Sequence, residues 1–316
     1  MRKDFLSATD LTAAEYRSLF ALAGELRRQR SPPRDLAGRT LAMIFEKPSL
    51  RTRVTFEAGM TQLGGHAVYL APADIGLGSR EPVADVGRNL ERWVDLVMAR
   101  TFAHVTVEDL AASCSLPVVN ALSDLEHPCQ SAADFLTLLD HRGSLDGLRF
   151  AYVGDGNNVC HSLLLTAALF GAEFRAATPA GYGVTDGVRE RARVVGAPGF
   201  SLLETHDPAE AVRGADAVYT DVWTSMGQEA EAAERRRVFA PYQVNAALLE
   251  LANSEARVMH CLPAHRGEEI TPDVLEGPRS VVFDQAENRL HVQKALLLTL
   301  FRNRPHGLPR ERPILA

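Results

Sequence analysis

The sequence predicts an α/β protein of two domains, each a mostly parallel sheet flanked by helices, the two joined by interdomain helices. Three observations predict it. The chain has 316 residues, 46% of them hydrophobic and 23% charged, enough for two cores rather than one. From Thr40 onward, short apolar runs alternate with stretches of helical period, the pattern of parallel strands joined by crossover helices. The alternation then starts afresh after Arg142-Gly143-Ser144, which places a domain boundary near the helix preceding those residues.

In the first half, the runs at 41–45, 67–70, 96–99 and 117–121 read as strands. A helix over 52–63 follows the first of them, with Phe56, Met60 and Leu63 on one face and Gly64-Gly65 at its end. Another helix covers 129–141. In the second half, strands are expected at 148–153, 174–177, 217–220, 257–260 and 280–283, and an amphipathic helix over 288–301 closes the pattern. The charge-rich segment 229–237 reads as a solvated helix face or a mobile loop.

Composition excludes several classes of function. The net charge of −6 is mild and the basic residues are scattered, so nucleic acid is not an expected partner. The start Met1-Arg2-Lys3-Asp4-Phe5 lacks an apolar stretch, and no window approaches the ~18 to 20 apolar residues that span a bilayer. A cytoplasmic location away from membranes is therefore expected. Cys114, Cys129, Cys160 and Cys261 lie far apart with no C-x-x-C pairing, which argues against a zinc site and a disulfide framework. Neither metal nor cofactor is expected.

In open α/β sheets, ligands bind beyond the carboxyl ends of strands, where loops converge and helix amino termini point at the ligand. Just past the proposed strands stand Ser49-Leu50-Arg51-Thr52-Arg53, Arg100-Thr101 and His127-Pro128-Cys129-Gln130 in the first half. The second half supplies Asp155-Gly156-Asn157-Asn158, Asp221 through Gly227, Cys261-Leu262-Pro263 and Glu287-Asn288-Arg289. The first set is rich in cations and donors and suits a phosphate or similar dianion. The second set, of Asp, Asn, Ser and Cys, suits an ammonium and the receipt of its proton. Singly, each piece has a blander reading: a solvated helix start, a structural His before Pro, a buried Cys serving as a small hydrophobe. Their joint placement carries the functional one.

Phe45-Glu46-Lys47-Pro48-Ser49-Leu50-Arg51-Thr52-Arg53 resembles the S-T-R-T-R carbamoyl-phosphate loop of the aspartate/ornithine carbamoyltransferases, and His127-Pro128-Cys129-Gln130 resembles their H-P-x-Q motif. Asp221-Val222-Trp223-Thr224-Ser225-Met226-Gly227 and His260-Cys261-Leu262-Pro263 are similar to the D-x-W-x-S-M-G and H-C-L-P segments of the ornithine branch. Gly154 through Asn158 and Glu287-Asn288-Arg289 extend the resemblance over essentially the whole chain.

The resemblance implies transfer of the carbamoyl group of carbamoyl phosphate to the side-chain amine of ornithine, giving citrulline and phosphate. It implies a carbamoyl-phosphate-binding domain over 1–135, an ornithine-binding domain over 136–289, and a C-terminal helix over 290–316 packing back on the first. Carbamoyl phosphate would be held by Ser49, Leu50, Arg51, Thr52, Arg53, Arg100, His127, Gln130 and Arg289. Arg100, His127 and Thr52 would face the carbamoyl oxygen, and Gln130 the carbamoyl NH2. Ornithine would be held by Asn158, Asp221, Ser225, Met226, Cys261 and Leu262. Arg100, His127, Asp221 and Cys261 would carry the chemistry. A homotrimer, or a multiple of it, and a place in arginine biosynthesis are also implied.

Two positions depart from the family pattern. Leu50 replaces the usual Thr of the phosphate loop, and Gly76 stands where Gln or His is common, a side chain that reaches into a neighbouring subunit's site. The rivals are carbamoyltransferases for N-acetylornithine, putrescine or aspartate, and a metabolite-binding relative without turnover. A nucleotide-dependent dehydrogenase is suggested by Gly154-Asp155-Gly156, but its third glycine position is Val159.

Overall fold

A computed structural model describes residues 3–29, 34–225 and 227–303. The first half contains β1 (Thr40–Phe45), β2 (His66–Leu70), β3 (Leu96–Arg100) and β4 (Val118–Leu122). Its helices are α1 (Ala13–Arg28), α2 (Leu50–Gln62), α3 (Pro72–Ile75), α4 (Val83–Trp93), α5 (His104–Ser113) and α6 (Pro128–Arg142). The second half contains β5 (Arg149–Val153), β6 (Glu173–Ala177), β7 (Ser201–Thr205), β8 (Ala217–Thr220) and β9 (Arg257–His260). Its helices are α7 (Asn158–Leu169), α8 (Asp186–Val195), α9 (Pro208–Val212), α10 (Ala232–Phe239), α11 (Ala246–Leu249), α12 (Pro272–Leu275) and α13 (Val282–Asn303).

Both sheets are parallel, with strand orders β2-β1-β3-β4 and β7-β6-β5-β8-β9. Each order reverses direction once, between β1 and β3 in the first sheet and between β5 and β8 in the second. At such a reversal adjacent strand ends send their loops to opposite faces, and a crevice opens between them. The two crevices fix where chemistry is possible before any side chain is considered.

One core cluster runs through both halves, and each half has a further cluster of its own. Phe135 of α6 stacks on Phe150 of β5 and on Phe170, and the aromatic run continues through Tyr16 and Phe20 of α1. Each such ring contributes about 1.5–3 kcal/mol by leaving water, so α6 works as a rigid spine rather than a linker. Helix α13 packs on α6, α1 and α2 of the first half and also touches β9 of the second.

The expected α/β class and the two parallel sheets hold, with three corrections. Residues 280–283 are not a strand: Ser280 makes a single bridge to Val258, and the chain turns into α13 at Val282. The C-terminal helix therefore begins earlier than the expected 288 or 290, and residues 304–316 lie outside the described residues. Strand β7, Ser-Leu-Leu-Glu-Thr, was not foreseen; it is a half-exposed sheet edge with little alternation to read.

Candidate active site

The two crevices face one another across a single cleft of about 1310 Å3. Its lining includes Ser49, Leu50, Arg51, Thr52, Arg100, His127 and Arg289 on one side, and Asn157, Asn158, Asp221, Ser225, Cys261 and Leu262 on the other.

On the cationic side, β1 delivers the chain to Ser49, whose side chain caps α2 by accepting from the Thr52 N–H. The first turn of α2 thus presents its free N–H groups to the cleft, with Arg51 among them. Leu50 is largely exposed, so its side chain adds nothing to an anion cradle that its backbone already serves. Arg100 closes β3, and burial followed by the neighbouring Arg289 and Arg51 lowers its guanidinium to about 10. Lys47, unmarked by sequence reasoning, also lines the cleft over the Phe102 ring, and burial and Arg100 push its ammonium down. Cations held this close and this dry are compensated when an anion enters.

His127 is buried at the head of α6, its backbone N–H donating to Ser162 Oγ at 2.8 Å. Burial, then Arg289, Arg100, Arg51 and Lys47, holds its imidazole well below the ordinary range, so it is neutral and offers one ring N–H. The preceding Glu126 anchors this corner by accepting from Ser7 Oγ and the Ala8 N–H and pairing with Arg191 at 3.1 Å.

Two expected phosphate-site residues sit elsewhere. Arg53 turns outward, ion-paired with Glu57 and stacked over Tyr69 at 3.9 Å, so it props α2 against β2 rather than lining this cleft. Gln130 lies one layer deeper, 1% exposed, with its oxygen accepting from Arg289 Nη1 at 2.5 Å. Arg289 reaches across from α13 to Thr52 Oγ1 at 3.2 Å, joining the two halves at the cleft floor.

On the other side, Asp221 follows β8 and is held at three points. Oδ1 accepts from the Val222 N–H at 2.8 Å and from Cys261 Sγ at 3.0 Å, and Oδ2 accepts from Asn157 Nδ2 at 2.9 Å. Asn157, missed by the sequence reading in favour of its neighbour, also caps α7 through the Val159 and Cys160 N–H groups. Asn158 lines the cleft and donates to Ser123 O across the halves. Burial, then Asp221, pushes the Cys261 thiol well up, so this sulfur is a thiol and not a thiolate nucleophile. Leu262 sits in the left-handed region at φ 57°, and Ser225 lines the rim; Met226 lies outside the described residues.

The segment 229–237 is neither solvated throughout nor irregular. Arg235 of α10 is 3% exposed, pairs with Asp155 Oδ2 at 2.9 Å and lies over Tyr182 and Phe239. Burial raises the Asp155 carboxyl to about 6 against the pull of Arg235. This pair clamps α10 over the cleft mouth.

Among the described residues, two groups of potential metal-ligand atoms lie within 4.8 Å of one another: Asp221, His260 and Cys261, and His265, Glu268 and Glu269. In the first, both His260 ring nitrogens already have partners, the Leu262 N–H and Glu269. The dehydrogenase reading loses its basis at Gly156, whose missing side chain makes room for the Gly183 backbone, 2.5 Å from where a Cβ would stand. Among the described residues no helix is long and apolar enough to cross a membrane.

Comparison with known proteins agrees with this arrangement. The family model described as the aspartate/ornithine carbamoyltransferase carbamoyl-P binding domain matches residues 3–140, and that described as the Asp/Orn binding domain matches residues 146–300. The ornithine carbamoyltransferase of Thermus thermophilus is 54% identical over 300 residues, 95% of this chain and 97% of that protein. That of Bacillus subtilis is 53% identical over 296 residues, 93% of this chain and 92% of the other. The solved structure of ornithine carbamoyltransferase from Pyrococcus furiosus superposes with a TM-score of 0.90 at 50% identity, covering 93% of this chain and 95% of that one. With both domain types matched in order and half of all residues shared along nearly its full length, the chain belongs to the aspartate/ornithine carbamoyltransferase family.

Proposed function

We propose that this chain transfers the carbamoyl group of carbamoyl phosphate to the side-chain amine of L-ornithine, giving L-citrulline and phosphate. One observation carries the reading: a cationic pocket built from Arg51, Arg100 and Arg289 opens onto the same cleft as the Asp221–Cys261 pair. The relatives at about half identity, named for ornithine, support it.

In this reading the phosphate sits on the first turn of α2 against Ser49, Arg51 and Thr52. Arg100 and neutral His127 donate to the carbamoyl oxygen, which becomes an oxyanion when the amine attacks and a tetrahedral adduct forms. Gln130 acts through Arg289 instead of holding the carbamoyl NH2 itself. Ornithine's amine, like lysine's, is mostly protonated near neutral pH, with a pKa of roughly 10.4. It must lose one proton before attack and a second as the adduct expels phosphate. The surrounding guanidiniums favour the neutral amine by repelling its charged form.

Asp221, with Asn158, Ser225 and Met226, would take the α-ammonium and α-carboxylate, and Cys261 and Leu262 would flank the attacking nitrogen. Putrescine lacks the carboxylate, N-acetylornithine lacks the α-ammonium, and aspartate would set a second carboxylate near Asp221. A citrulline assay run in parallel with ornithine, N-acetylornithine, putrescine and aspartate tests this. Turnover should be largest with ornithine by about 100-fold or more, because an unpaired buried charge costs several kcal/mol. Equal turnover with another amine would replace the assignment.

The domain division at 1–135 and 136–289, a cytoplasmic location, a role in arginine biosynthesis and a homotrimer belong to the same proposal. Leu50, Val54, Val68, Phe102 and Val105, all exposed and all in the first half, support a subunit interface there. Sedimentation should give three chain masses or a multiple; a single chain mass at working concentration would remove the trimer.

A further inference from the structure

Beneath the cleft, α6 carries a carboxylate that no step above uses. Asp134 is fully buried. Its Oδ1 accepts two amide N–H groups, from Gln130 Nε2 and from Gln285 Nε2, each at 2.8 Å. Each glutamine then turns its oxygen the other way. Gln130 Oε1 accepts from Arg289 Nη1, and Gln285 Oε1 accepts from the backbone N–H of His260 at 3.0 Å. Arg289 in turn reaches Thr52, and His260 immediately precedes Cys261. One acceptor thus stands at the junction of a chain that runs from the phosphate loop to the thiol beside Asp221.

A primary amide presents its oxygen or its NH2 depending on what faces it, and the two ends are nearly isosteric. An acceptor oxygen set between two amides, taking an N–H from each, removes that freedom from both. Were Gln130 reversed, its NH2 would face the Arg289 guanidinium, donor against donor. Were Gln285 reversed, the His260 N–H would lose its acceptor in a dry site.

We propose that Asp134 is a positioning residue for the carbamoyl transfer: by accepting from both amides it fixes Gln130 and Gln285, and through them sets Arg289 in the phosphate pocket and the Cys261 segment opposite. This rests on the proposed function above. Burial pushes the Asp134 carboxyl up to about 6, against the hydrogen bonds of Gln285 and Gln130 and the charge of Arg289. The folded state therefore favours the protonated acid; the stability this gives is present below the ordinary value near 3.8 and lost as pH rises through about 6. The ionised form is held in this dry site by the two amide N–H groups and the nearby Arg289. The charged and titratable groups facing it are Arg289 of α13, Tyr219 of β8 and Cys261 after β9.

Steady-state citrulline formation by the full chain, with each substrate varied, tests the proposal in three variants. Asp134→Asn keeps an oxygen for both amides and should stay within about threefold of the parent in kcat and both KM values, whereas Asp134→Ala should raise KM for carbamoyl phosphate about tenfold and lower kcat by a similar factor. Gln285→Met cuts only the arm toward Cys261; it should lower kcat about tenfold and leave KM for carbamoyl phosphate within about twofold. The idea fails if Asp134→Ala matches the parent, if Asp134→Asn is as damaged as Asp134→Ala, or if Gln285→Met raises KM for carbamoyl phosphate. Should Asp134→Ala not fold, the other two variants still decide. If the parent itself makes no citrulline, the function is wrong, and calorimetric binding of carbamoyl phosphate then judges Asp134 alone: weakened in Asp134→Ala and kept in Asp134→Asn, or the proposal is overturned.

Discussion

Replacing Arg51 by alanine should raise KM for carbamoyl phosphate by about 100-fold or more while leaving the fold intact, because charge-assisted hydrogen bonds contribute about 1.5–3 kcal/mol each and a guanidinium presents two to one phosphate. Arg51 stands in the first turn of α2, where the helix already offers N–H groups, so its loss removes charge without removing the cradle. Burial lowers its guanidinium, with Cys261 and Asp221 opposing that shift, so removing the cation should cost little stability. KM for ornithine, measured at saturating carbamoyl phosphate, should change far less. Arg51→Lys keeps the charge and loses the fork, and should recover only part of the loss. Unchanged kinetics in Arg51→Ala would move the phosphate to another part of the cleft.

The second large effect is expected at Asp221. In Asp221→Asn the shape remains and the charge goes. An ammonium bound there loses its counter-ion, and the Asn157 amide meets a side chain that presents NH2 as readily as oxygen. Breaking one half of such a pair in a dry site costs about 3–5 kcal/mol, so kcat/KM for ornithine should fall by about 100- to 1000-fold. KM for carbamoyl phosphate should stay within about threefold, since the phosphate cradle lies on the opposite wall. Cys261→Ala should be milder, because the thiol donates a single hydrogen bond to Asp221 Oδ1 and is held protonated by burial. If Asp221→Asn raised both KM values equally, Asp221 would be shaping the cleft as a whole and not binding the amine.

The strand ends and the polar residues just beyond them were legible in the sequence because the signal is local. An apolar run followed by Ser49-Leu50-Arg51-Thr52, or by Asp221, states its own position at the edge of a sheet. What stayed hidden was set by partners far along the chain. Arg235 looks like one more charge in a polar run, and only Asp155, eighty residues away, and the Tyr182 and Phe239 rings bring it inside. Arg53 continues a cationic motif, yet its position on α2 turns it toward Glu57 and Tyr69. Ser280 to Phe283 has the β-branched content of a strand, but it meets β9 at one bridge before α13 begins, so tertiary placement overrides local preference. The depth of Gln130, and with it the junction at Asp134, depends on α13 crossing back over α6, which no short-range pattern announces.

In the proposed function one cleft holds an anion on its first wall and an amine on its second. A crystal structure of the full chain with a phosphonate that covalently joins the two substrates, N-phosphonoacetyl-L-ornithine, tests it most directly. The phosphonate should lie on the first turn of α2 in contact with Arg51, the amide oxygen against Arg100 and His127, and the ornithine end beside Asp221 and Cys261. Binding of that compound outside this cleft, or within it with its ends reversed, would contradict the account.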